Sequence, residues 1–113
     1  MAGINAGIAE RARRTAELMN RYAKVKGGFV FGSHVHGAPD EDSDIDVAVF
    51  LEGIEDWDLS RKVHVLCELQ KEVGDDIEIH CFRAESLIHP EPASFAAHVL
   101  KHGVCIYLPS GIS

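Results

Sequence analysis

Asp44 and Asp46 stand two residues apart at the head of the apolar run IDVAVFL, and Gly32 and Ser33 follow another apolar run, FVF. If IDVAVFL opens as a strand, both carboxylates turn to one face, with Cα atoms roughly 6.6 Å apart. At an effective dielectric near 20, two charges at that distance repel by about 2.5 kcal/mol. A cation offsets such repulsion, and Mg2+ suits the role because one or two carboxylates plus substrate phosphates usually hold it. A third acid in DIEIH, Glu78 or Asp76, would complete a two-metal site that clamps the attacking and leaving oxygens of a phosphoryl or nucleotidyl transfer. Gly32 lets the chain approach a phosphate closely, and the turn N–H groups with the Ser33 hydroxyl can cradle its oxygens. Asp40, Glu41 and Asp42 read as an exposed acidic loop whose field draws cations inward.

The elements that must position these groups follow from periodicity. Asn5 caps a helix expected from Ala6 to Lys24, with Gly27 and Gly28 ending it. FVF and IDVAVFL read as strands, and the absence of a helix between them makes the pair antiparallel. Asp56 or Asp58 opens a helix over Leu59–Val73, with Leu59, Val63, Leu66, Leu69 and Val73 as its apolar stripe and Gly74 closing it. DIEIHCF alternates with period two, so Ile77, Ile79 and Cys81 face one way and Asp76, Glu78 and His80 the other. Pro92 or Ala93 opens a last helix to Lys101, whose Phe95, Ala96, Val99 and Leu100 form a core or interface face. VCIYL closes the chain as a strand. This order implies a single α/β domain over residues 1–113, a small mixed β-sheet packed with helices.

Composition narrows the function classes. A net charge of −7, from 18 acidic against 11 basic residues, argues against direct nucleic-acid binding and against an anionic membrane surface. No run approaches the ~20 apolar residues of a transmembrane helix, and the N-terminus lacks a signal-peptide core, so the expected location is the cytoplasm. Cys67, Cys81 and Cys105 fit neither a disulfide framework nor zinc spacing and read as buried thiols. His34 and His36 lie in the loop over the proposed site, where contact with nucleotide is the reading; His98 and His102 read as a solvated helix end.

Residues 32–46, GSHVHGAPDEDSDID, resemble the Gly-Ser, ten residues, Asp-x-Asp signature of the minimal nucleotidyltransferase branch of the DNA polymerase β superfamily. Gly37 and Ser43 agree as well, and the likeness spans about Phe29 to Phe82. It implies the polymerase β-like nucleotidyltransferase fold and transfer of AMP from ATP to an acceptor hydroxyl. Asp44 and Asp46 would bind Mg2+, Gly32, Ser33 and Ser43 the nucleotide, and Glu78 would bind metal or take the acceptor's proton. His36 stands where many relatives carry arginine, and Glu78 where aspartate is commoner.

Members this short resemble the antitoxin half of two-gene pairs with HEPN-domain ribonuclease toxins, in which a toxin tyrosine is adenylylated. The resemblance therefore implies a HEPN-type partner protein beside the nucleotide triphosphate, within a homo- or hetero-oligomer. Two other readings stand next to it. One is a binding module that neutralises a partner by masking it; the other is transfer to a small molecule such as an antibiotic, which usually needs an added acceptor domain.

Overall fold

The computed structural model describes residues 5–32 and 44–109. Four strands form one mixed sheet in the order β3-β2-β1-β4: β1 is Val25–Phe31, β2 Ile45–Leu51, β3 Ile77–Arg83 and β4 Val104–Tyr107. β1 pairs antiparallel with both β2 and β4, while β2 pairs parallel with β3. A parallel pair needs a long crossover, and α2 (Leu59–Val73) supplies it after a 3-10 turn at Ile54–Asp56. The other helices are α1 (Ala6–Met19), the single turn α3 (Glu85–Ile88) and α4 (Phe95–His102). The mixed α/β fold expected from the sequence is the one observed.

Local chemistry explains the helix starts. The Asn5 side chain accepts from the N–H groups of Gly7 and Ile8 at 2.7 and 3.4 Å, Asp58 accepts from Arg61 N–H at 2.8 Å, and Ser94 Oγ accepts from Ala97 N–H at 3.1 Å. Each satisfies a donor that the first turn leaves unpaired.

Helix α1 stops at Met19, five residues short of the expected Lys24. The reason is Asn20, whose Oδ1 accepts from Val25 N–H at 3.0 Å and whose Nδ2 donates to the Tyr107 hydroxyl at 3.0 Å. That side chain fixes a tight reversal into β1. Gly27 and Gly28 consequently lie inside β1 and do not end the helix. A Cβ on Gly28 would meet the Cβ atoms of Ala16 at 3.1 Å and Tyr107 at 3.2 Å, so the missing side chain lets α1 settle onto the sheet.

The sheet is buried on both faces, which is why β2 is an almost unbroken apolar run. One face is aliphatic: Val47, Val49 and Leu51 of β2 pack with Ala12, Ala16 and Met19 of α1 and with Val65, Leu69 and Val73 of α2. The other is aromatic, joining Phe29, Phe31, Ala48 and Phe50 to Ala96 and Val99 of α4, with Phe82, Leu87 and Leu100 against them. The last helix therefore contributes core through Ala96 and Val99, while Phe95 stays 49% exposed.

Two expectations about side-chain direction fail. Leu59 and Val63 are 76% and 50% exposed, because α2 turns the Val65, Leu69 and Val73 stripe to the sheet. Cys67 and Cys105 are exposed, and only Cys81 is substantially covered. Burial pushes the Cys81 thiol up to about 11, since apolar surroundings disfavour a thiolate.

Candidate active site

β1 delivers Gly32 one residue beyond its end, and β2 delivers Asp46 at its second position, where Asp46 is the register partner of Phe31. On the other side of β2, Asp46 is the register partner of Glu78, and Ala48 of His80. Register partners on neighbouring strands share a face, and Glu78 and His80 share it through period two. The face is the aromatic one, because Asp46 has the parity of Ala48 and Phe50. Three polar groups thus gather at one end of an otherwise apolar layer.

Distances bear this out. His80 Nε2 lies 3.2 Å from Asp46 Oδ1 and 3.3 Å from Glu78 Oε2. One donor atom from each of Asp46, Glu78 and His80 lies within 4.8 Å of the others. Asp46 and His80 are about three-quarters covered, whereas Glu78 is 55% exposed and open to an approaching molecule. The His80 ring meets Phe31 edge-on at 5.0 Å between centroids and Phe95 at 5.6 Å. Phe95 in turn packs on Phe31 and Phe82 at 5.3 and 5.7 Å. This aromatic enclosure restricts the imidazole and keeps its Nε2 edge between the two carboxylates.

Gly32 has φ +88°, a conformation that side chains other than glycine's disfavour. A Cβ there would stand 2.6 Å from Asp46 Oδ2. The glycine of the Gly-Ser pair is therefore pressed against the second aspartate of the Asp-x-Asp pair, although fourteen positions separate them.

Of the residues singled out by sequence, Gly32, Asp46 and Glu78 come together. Asp44 is exposed, one residue before β2, and outside the three-residue cluster. Asp76, the weaker third acid, does not join it either. Its carboxylate accepts from both Arg11 guanidinium nitrogens at 2.8 and 2.7 Å, and Arg11 also donates to Val73 O at 2.7 Å. The hydrogen bonding to Asp76 raises the Arg11 pKa above its ordinary value and ties α1 to the turn before β3. Ser33, Ser43, His34, His36 and the acids Asp40, Glu41 and Asp42 lie outside the described residues. His80 is the residue sequence reasoning passed over: its parity with Glu78 was legible in EIH, but a role for it was not.

The cluster fits a divalent cation. Neighbouring donors around a six-coordinate ion with ~2.1 Å bonds lie about 3 Å apart, close to the two separations His80 Nε2 makes.

The family model described as polymerase beta, nucleotidyltransferase, matches residues 14–110. Among solved structures, a Sulfolobus solfataricus protein to which nucleotidyltransferase activity is ascribed superposes with TM-score 0.64 at 13% identity, covering 93% of this chain and 84% of that one. A toxin-antitoxin protein crystallised with AMP-PNP superposes with TM-score 0.59 at 19% identity, covering 90% of this chain and 74% of that one. At these identities the likeness is one of fold. No curated protein matches the sequence significantly.

Proposed function

Because the chain belongs to the polymerase β nucleotidyltransferase family, we propose that it transfers AMP from ATP, with Mg2+, to a hydroxyl on a partner protein. The observation that carries this reading is the meeting of Gly32, Asp46 and Glu78 across three elements at one end of the sheet. Asp46 and Glu78, with Asp44 from the residue before β2, are assigned as the cation ligands. The cation, when bound, neutralises the triphosphate and the charge that develops on the oxygens exchanged at phosphorus.

The chain's own groups have separate tasks. Gly32, Ser33 and Ser43 are assigned to the phosphates on their match to the family's Gly-Ser signature, and the bare Cα of Gly32 leaves room for the Asp46 carboxylate beside it. Glu78 is the exposed member of the cluster and can accept the proton of the acceptor hydroxyl as that oxygen attacks the α-phosphorus. The bond from the α-phosphorus to the bridging oxygen breaks, and pyrophosphate leaves.

A protein acceptor is favoured by the toxin-antitoxin neighbour, whose fold this chain shares. We assign the acceptor to a HEPN-type toxin and this chain to the antitoxin role. The test mixes the purified chain with Mg2+, labelled ATP and the product of the adjacent gene. Label should move to that product; no transfer, with a relative active in the same assay, overturns the reading.

A further inference from the structure

We propose that His80 is a nitrogen ligand to the cation held by Asp46 and Glu78, and that the site consequently takes a first-row transition divalent ion in preference to Mg2+. The inference rests on the metal-dependent reading above and concerns which ion the site selects. Its ground is the donor set. Two carboxylate oxygens alone suit Mg2+, whereas an imidazole nitrogen beside them shifts preference toward borderline ions that accept nitrogen.

Three features separate His80 from a histidine that merely happens to be near. Its Nε2 stands at nearly equal distance, 3.2 and 3.3 Å, from oxygens of both acids. These spacings match neighbouring donors around one ion, and the one to Asp46 also serves as a hydrogen bond that aims the ring. The ring is held edge-on by Phe31 and Phe95, so a ligand pose is preorganised without a further loss of rotamer freedom. Its side chain is only 23% exposed, so water competes poorly for that nitrogen. The other close pair of described histidines, His98 and His102 on α4, is solvent-exposed and serves as a control.

The experiment titrates the full chain with Mn2+, without nucleotide, near pH 8. Electron spin resonance reads both occupancy and nitrogen hyperfine coupling to the bound ion. The expected result is one tightly bound Mn2+ showing nitrogen coupling, displaced by Mg2+ only at roughly tenfold or greater excess. His80→Gln, checked as folded by circular dichroism, should lose the coupling and most of the preference for Mn2+. His98→Gln with His102→Gln should keep both.

Bound Mn2+ without nitrogen coupling, coupling that survives His80→Gln, or displacement by equal Mg2+ each overturns the proposal. These outcomes are separable from failure of the transferase reading. Nitrogen coupling with no label transfer would keep His80 as a ligand and remove the enzyme. Label transfer with an all-oxygen Mn2+ site would do the reverse.

Discussion

The two faces of the sheet are built from the same strands and differ in what they leave unfilled. Toward α1 and α2, β2 presents Val47, Val49 and Leu51, all fully buried, against helices that cover them end to end. Toward α4, the same strand presents Asp46, then Ala48 and Phe50, against a helix of eight residues that covers only part of the layer. One face is closed and aliphatic; the other is aromatic and ends in Asp46, Glu78 and His80. A residue's effect on stability or on chemistry should therefore follow the parity of its position along the strand.

The largest expected effect tests the polar end. Asp46→Asn removes a charge from the cluster while keeping shape, so label transfer should fall about a thousandfold or more, equivalent to roughly 4 kcal/mol. The melting temperature should stay the same or rise, because one repulsive carboxylate is gone. Asp44→Asn combined with Asp46→Asn also separates catalysis from masking: if neutralisation of the partner survives in the double variant, the chain acts by binding and not by transfer.

On the closed face the balance should reverse. Leu69→Ala removes a fully buried side chain of α2 from the aliphatic core, which should cost about 2–5 kcal/mol in denaturant unfolding. Transfer per folded molecule should be nearly unchanged. A comparable loss of kcat in molecules shown to be folded would mean the faces are coupled, against the division drawn above.

Gly32→Ala lies between these cases. The left-handed backbone costs a non-glycine residue about 1–2 kcal/mol, and the added Cβ falls 2.6 Å from Asp46 Oδ2. Both stability and activity should drop, with activity falling further because Asp46 must move. Retention of full activity would show that Gly32 does not constrain that carboxylate.

Cys81 sits on the closed face by parity, and its effect has a sign in pH. The folded thiol titrates near 11 against an ordinary value of 9.0, so the folded state holds a proton that the unfolded chain releases first. Its contribution is fully present below about pH 9 and is lost as pH rises toward 11. The unfolding free energy should decline over that window by up to about 2 kcal/mol more in the parent than in Cys81→Ala. Parallel pH profiles would place Cys81 in a wetter setting than its position implies.

Much of this was legible in the sequence. The boundaries of β2 and α2 follow from an apolar run and a capped helical period, and the antiparallel β1–β2 pair from a connection with no helix in it. What failed depended on distant partners. Asn20 ends α1 early through Val25 and Tyr107, and no local pattern announces a side chain reaching 87 residues ahead. Leu59 and Val63 fit the helical stripe yet face outward, because a period fixes the angle between residues and not which side meets the sheet. In the site, Gly32 and Asp46 were named from spacing, parity left Glu78 and Asp76 open, and the family resemblance singled out Glu78. His80 required knowing that Phe31 and Phe95 would confine it, and that depends on how α4 packs across β1 and β3.

The smallest effect is the most informative about the choice between neighbouring acids. Asp76 and Glu78 have the same parity, yet Asp76 is engaged by Arg11 while Glu78 faces Asp46. The Arg11–Asp76 pair is about half exposed, with side chains 40% and 51% accessible, and such pairs contribute ~1 kcal/mol or less. Asp76→Asn should therefore lower stability by under about 1 kcal/mol, an effect that salt reduces, and should leave label transfer within about twofold of the parent. Glu78→Gln should do the opposite: negligible change in melting, with transfer lowered by about a hundredfold or more. Equal activity losses in the two variants would return Asp76 to the site and sink the division of labour between them, since a carboxylate held by Arg11 of α1 would then be acting beside Asp46, at the end of β2 where Ile45 N–H meets Asp76 O.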